Sequence, residues 1–254
     1  RGAMSERVPS AGLPIGPLGI LMLDTRFPRI VGDIGNAASF DYPVIFRRME
    51  GIGSGDAVTA HPDRPRVLAA LKANAEALAA QGAVGISTSC GFLALYQDDL
   101  AAVSPVPVAT SALLLVRQLK DKRVGVITAS ARSLTPAHFE AVGAPADTPF
   151  VGLLEDSSFA ATFLGNGLTL DRDRVEREVV AAGRDLVARH AAIDAVVLEC
   201  TNLPPYAQAL KAALGLPVFD VLDLLSGFHA CLTAAARAPR NVNDRVRHRD
   251  PGPC

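Results

Sequence analysis

The chain repeats itself, and the repeat limits what it can fold into. Cys90 and Cys200 stand 110 positions apart, Pro107 and Pro217 are also 110 apart, and the apolar segments around Gly19 (PLGIL) and Gly125 (RVGVI) lie 106 apart. Each half reads in the same order: strand, helix, strand, cysteine, helix, then a short Pro-Val strand. Punctuated apolar runs alternating with amphipathic segments are the pattern of βαβ units and a parallel sheet. The fold class expected is therefore α/β, with two similar lobes related by a pseudo-twofold axis. Each lobe is a mostly parallel sheet flanked by helices, and the active site lies in the cleft between them. Residues 16–115 with 217–237 are expected to form the first lobe, carrying Cys90. Residues 116–216 form the second, carrying Cys200, and 1–15 and 238–254 read as flexible tails.

Strands are expected at Gly19–Asp24, Ala83–Thr88, Val106–Ala109, Val124–Thr128, Ala195–Leu198 and Pro217–Phe219. The main helices fall at Pro65–Gln81, Asp173–His190, Pro205–Leu214 and Leu222–Arg237. Hydrophobic residues make up 49% of the chain but aromatics only 5%, with no tryptophan, so Ala, Val, Leu and Ile must build the core. A net charge of −1 lacks the electrostatic footprint of a general nucleic-acid binder. No apolar run approaches the roughly 18–20 residues of a membrane span, and there is no signal-peptide core. Four cysteines are too few for a disulfide scaffold, which points to reduced thiols and a cytoplasmic location. Two long irregular loops interrupt the pattern, at Arg26–Phe40 and Phe150–Thr169. The first follows a parallel strand and so lies at the carboxyl end of the sheet, where α/β folds bind ligands.

Cys90 and Cys200 each stand just past a strand and just before a helix, whose dipole lowers a thiol pKa. Across a pseudo-twofold cleft the two sulfurs face one another. One thiolate can then take a proton from one face of a carbon while the other thiol delivers a proton to the opposite face. No cofactor is needed if backbone N–H groups and hydroxyls stabilise the carbanion. Glu199 would raise a neighbouring thiol pKa, but strand alternation turns it away from Cys200. Cys231, inside an Ala- and Leu-rich helix, reads as core, and Cys254 as inert. The five histidines (61, 138, 190, 229 and 248) show no metal-ligand spacing, so no metal is expected. The glycines of Gly51–Gly55 do not form a phosphate loop, and the run Arg172–Glu178 (RDRVERE) reads as a solvated helix face. Thr128 and Ser130 can bind substrate or cap the next helix, and Asp24 and Asn36 can touch ligand or shape a turn.

Three segments, TSCGF at Thr88–Phe92, ECTN at Glu199–Asn202 and VGVITASARSL at Val124–Leu134, carry a family likeness. The chain resembles the cofactor-independent aspartate/glutamate/hydantoin racemase superfamily, with its maleate isomerase and arylmalonate decarboxylase relatives, from about Leu18 to Leu225. The resemblance implies that Cys90 and Cys200 are the acid/base pair, with Thr128, Ala129, Ser130 and Thr201 lining the substrate site. Asp24-Thr25 looks like the Asp-Ser pair of glutamate racemases. Gly91-Phe92 replaces the usual Asn-Thr, leaving backbone N–H groups and a more apolar wall. Asn202 replaces the usual His. The implied activity is racemisation or epimerisation of a small carboxylate, an amino acid or a derivative such as a hydantoin, by a homodimer. Two alternatives stand beside it: cis–trans isomerisation of an unsaturated diacid through a covalent cysteine, and non-catalytic binding of a small ligand.

Overall fold

A computed structural model describes residues 16–237. The expectations for the two tails, Cys254 included, fall outside the described residues. The first half contains β1 (Leu18–Leu23), β2 (Val44–Met49), α1 (Ser54–Ala57), α2 (Arg64–Ala80), β3 (Gly85–Thr88), α3 (Gln97–Val103), β4 (Val108–Ala109) and α4 (Leu114–Gln118). The second half contains β5 (Val124–Thr128), α5 (Pro136–Glu140), β6 (Phe150–Gly152), α6 (Arg172–Arg189), β7 (Ala195–Leu198), α7 (Ala207–Leu214), β8 (Val218–Phe219) and α8 (Val221–Arg237). Two four-stranded sheets result, ordered β2-β1-β3-β4 and β6-β5-β7-β8, and every strand pair is parallel.

The repeat survives at the level of register. Leu18 pairs with Gly85 in the first sheet, and Val124 pairs with Ala195 in the second. Those are the same pairings moved by the two sequence offsets. The central strands β1, β3, β5 and β7 are buried almost throughout, as expected for parallel strands covered on both faces.

The helices are legible residue by residue. Asp63 caps α2 by accepting from Arg66 N, Pro65 sits in its first turn, and Val67, Leu71, Ala75 and Leu78 form its buried stripe. Gly82, at φ +93°, ends the turn in a conformation that favours glycine. Asp171 caps α6 in the same way, and Val175, Val179, Gly183 and Leu186 face inward.

Two sequence readings change. Val218–Phe219, placed with the first lobe, pairs with β7 in the second sheet; only α8 crosses back, setting Phe228 and Leu232 against Gly85 of β3. The 150–169 stretch is not irregular throughout. It holds β6 and a π-helical turn over Ala160–Leu164. No helix among the described residues is long and apolar enough to cross a membrane.

Candidate active site

Both cysteines follow the last residues of central strands, β3 and β7, and both are buried free thiols. Thr88 fixes the first turn by donating Oγ1 to the carbonyls of Cys90 (3.0 Å) and Thr110 (2.7 Å). The two strand ends are then tied to each other: Thr201 Oγ1 donates to Ser89 O at 2.7 Å, deep in the seam between the repeats. Cys90 and Cys200 line one closed cavity of about 20 Å³. Leu23, Phe27, Arg29, Ser54, Ser89, Gly91, Phe92, Ala129, Phe163 and Asn202 also face it. An open groove of about 480 Å³, lined by Ser130, Arg132, Glu155 and Asp156, lies beyond Leu164, which borders both spaces. Both thiols sit in the small cavity and neither borders the groove.

The π-helical turn roofs the cavity. Ser54 Oγ from the first repeat donates to Phe163 O at 3.1 Å, and Arg26 N donates to Asn166 Oδ1 at 2.7 Å. The start of the turn is held from behind by Glu178, whose two carboxylate oxygens accept from Ser158 N (2.8 Å) and Phe159 N (2.9 Å). The RDRVERE run is thus more than a solvated face, since its last residue anchors the roof.

Of the residues singled out by sequence, Cys90, Cys200, Gly91, Phe92, Ala129 and Asn202 line the cavity. Thr128 and Thr201 lie just behind it: Thr128 Oγ1 donates to Glu199 Oε2 at 2.7 Å. Ser130 bonds Ser133 and borders the outer groove instead. Asp24 and Asn36 serve loop geometry. Asp24 accepts from Gly51 N at 2.9 Å and pairs with Arg48, while Asn36 caps the Ala37–Ser39 turn and donates to Arg29 O. Neither lines the cavity. Sequence reasoning missed Phe27 and Arg29, which reach the cavity from the 26–40 loop, and Phe163, which reaches it from the π-helical turn. It also missed Asp33, which lies within the GDIGN loop that drew attention only to Asn36. His138, read as structural, is fully buried with its ring edge-on to Phe92 at 5.3 Å, and burial holds its pKa down to about 4.

The electrostatics correct a second expectation. Burial, then the nearby Glu199, pushes the Cys90 thiol up to about 12, against backbone N–H groups of Phe92 and Leu93 and the Arg29 charge. Burial and Glu199 likewise push Cys200 well above the usual thiol range. Helix-start donors alone do not offset desolvation here, so both thiols rest protonated. Glu199 lies one residue past the end of β7, where strand alternation no longer fixes its direction. Its side chain is fully buried, Oε1 has no hydrogen-bond partner in the protein, and it presses on Gly91. Burial raises its own pKa to about 7.

With this geometry in place, three comparisons bear on the chain. Residues 108–226 match the family described as Asp/Glu/Hydantoin racemase. Dimethylsulfoniopropionate lyase 7 of Emiliania huxleyi (strain CCMP1516) is 33% identical over 85% of this chain and 67% of its own length. The chain belongs to the Asp/Glu/hydantoin racemase family. Dimethylsulfoniopropionate lyase of Durusdinium sp. clade D is 30% identical over 81% of this family member and 71% of its own length. The fold matches unliganded arylmalonate decarboxylase with a TM-score of 0.57 at 18% identity, covering 85% of this chain and 92% of that one.

Glu199 gives the site a testable pH signature. Its carboxylate exists mainly above about pH 7 and raises both thiols there. In Glu199→Gln that field is absent at every pH, so the thiols deprotonate at lower pH. The ascending limb of the kcat/KM profile should move down by about one unit above neutrality. Below pH 7, where Glu199 is itself neutral, the two profiles should converge. An unmoved limb would show that Glu199 does not govern the thiols.

Proposed function

We propose that this protein is a lyase that removes the α-proton of a small carboxylate carrying an onium leaving group on its β-carbon, with dimethylsulfoniopropionate the first compound to test. The observation that carries this reading is the cavity itself, which sets two thiols among three phenylalanine rings, Phe27, Phe92 and Phe163, with a buried carboxyl beside them. Aromatic faces attract a cation, and they do so most strongly where water is excluded. Arg29, the cationic side chain on the cavity wall, lies over the Phe27 ring at 4.3 Å from its centroid and is engaged by Asp33 at 2.9 Å, so Phe92 and Phe163 are the rings left for a substrate cation. The names of the curated relatives agree with a sulfonium substrate.

The cation also removes a difficulty of the resting site. A sulfonium placed between the thiols lowers their pKa by direct attraction, so the thiolate forms where and when substrate is bound. That thiolate takes the α-proton. The C–H electron pair becomes the new C=C bond, the C–S bond breaks, and its pair leaves on sulfur as neutral dimethyl sulfide. Acrylate remains, and the newly protonated thiol returns its proton to solvent. Electrons balance without an oxidant or reductant. In this reading the Gly91 N–H, on the cavity wall, supports the negative charge that builds on the substrate carboxylate.

Racemisation, the reading drawn from the motifs, begins with the same α-proton abstraction and is favoured by the presence of a thiol from each repeat. The two readings separate in one assay. Incubated in D2O with dimethylsulfoniopropionate, the protein should release dimethyl sulfide and acrylate in equal amounts. Release of neither, with deuterium exchange and loss of optical rotation on single-enantiomer amino acids or hydantoins, would replace the lyase with a racemase.

A further inference from the structure

The two thiols are built into unequal hydrogen-bonding surroundings, and the residue that makes the difference comes from the other repeat. Asp33, in the 26–40 loop, is 1% exposed and its carboxylate is fully engaged. Oδ1 accepts from Arg29 Nη1 at 2.9 Å and Gly35 N at 2.7 Å, and Oδ2 accepts from Asn202 Nδ2 at 2.7 Å. A carboxylate only accepts, so it fixes which end of the Asn202 amide faces it. The NH2 group turns to Asp33, and the opposite end, Oδ1, is left facing Cys200, whose Sγ donates to it at 3.6 Å. An acceptor aimed at sulfur stabilises S–H and disfavours S−.

Cys90 is placed differently. Its side chain lies at the start of the 3-10 turn Gly91–Tyr96, with no acceptor among the described residues aimed at it, and the nearby backbone N–H groups of Phe92 and Leu93 favour the thiolate, while Leu93 N donates to the Cys90 carbonyl at 3.0 Å. The charged and titratable groups facing each thiol point the same way. Cys200 faces Glu199 from its own strand end, Cys90 across the cavity and Asp33 from the loop, all of which disfavour its ionisation, against the one backbone N–H of Asn202 that favours it. Cys90 faces Glu199 as well, but also Arg29, which favours ionisation.

We propose that Asp33 is a positioning residue that, through Asn202, keeps Cys200 protonated and leaves Cys90 as the base of the pair. The assignment rests on the two-thiol reading of this site. It makes Cys200 the group that donates to the substrate carboxylate as charge builds there.

The thiols themselves report the outcome. The full-length protein is alkylated with iodoacetamide across a pH series, and each cysteine peptide is quantified by mass spectrometry. Both thiols share one cavity, so opening affects them alike and the midpoints can be compared. In the parent, Cys90 should titrate at lower pH than Cys200. In Asp33→Asn the anion is gone, and an amide NH2 facing Asn202 turns that side chain round to present its own NH2 to sulfur. Cys200 alkylation at fixed pH should then rise about tenfold, with Cys90 changing far less. Should Asp33→Asn not fold, Asn202→Ala removes the acceptor, leaves the Arg29–Asp33 pair in place, and should move Cys200 in the same direction. A Cys200 at least as reactive as Cys90 in the parent, or a Cys200 midpoint unmoved by the substitution, overturns the proposal. This readout uses no substrate: a protein inactive on dimethylsulfoniopropionate that still shows the expected alkylation pattern would refute the lyase reading alone.

Discussion

Cys90→Ala is expected to lower kcat by about 10³-fold or more while leaving the melting transition close to that of the parent. The loss follows from removing the base, a contribution of about 10²–10⁴-fold in comparable proton transfers. The fold should tolerate the change because the substitution deletes one atom from a wall that alanine can still line, and the turn is held by Thr88 and by the backbone. Cys200→Ala should cost less, about 10²-fold, since a thiol that donates can be replaced in part by water where a base cannot. The ratio of the two losses is informative in its own right. Equal losses for both variants, measured as initial rates of sulfide release, would fit a symmetric two-base site. Parental rates in both would remove the cavity from the chemistry altogether.

Among the described glycines, Gly91→Ala should be the most damaging substitution. A Cβ at this position would collide with the Glu199 backbone carbonyl and with Glu199 Oε1. Neither can yield easily: one belongs to the backbone leaving β7, and the other to a buried carboxylate held by Thr128. Overpacking of this kind costs about 3 kcal/mol, which for a domain of this size lowers the melting temperature by about 6–12 °C. The clash lies between the two strand ends, so it also spreads the thiols. Activity should fall further than the loss of folded protein explains, measured on samples kept well below their melting point. A Gly91→Ala protein as stable and as active as the parent would mean that the strand ends are not in contact as described.

Much of this was legible from residue order. The repeat, the central strands and the two strand-end cysteines follow from apolar runs and spacing, which are local signals. β2 was not, because Arg47 and Arg48 interrupt its apolar run. It is an edge strand, and those side chains reach outward to Asn74 and Asp24. The placement of β8 was lost because Val218 and Phe219 give no clue to which sheet receives them. Asp33, Arg29 and Phe163 were hidden for another reason: each acquires its role only through a partner far along the chain. Asp33 and Asn202 are separated by 169 positions, and no periodicity links them. Glu199 was seen but its effect was discounted: its carboxyl stays out of the cavity wall, yet its charge still raises both thiols. Asp24 and Asn36 were drawn in by their place in loops near the site, and their hydrogen bonds serve the loops.

The unequal stitching of the cleft sets how molecules pass through it. Its floor is fastened by the buried Thr201–Ser89 and Asn202–Asp33 bonds, with Ile34 N donating to Thr201 O. Across the cleft its roof is tied by bonds nearer the surface, those at Phe163 O and Asn166, while Glu178 holds it only from its own repeat. Bonds open to water break locally at small cost, whereas buried ones open only with much of the structure. As it stands the cavity has room for about one water molecule, less than a carboxylate substrate, so in the proposed reaction the roof lifts to admit it. The opening of a short π-helical segment then stands beside the proposed proton transfer as a step that can set the rate.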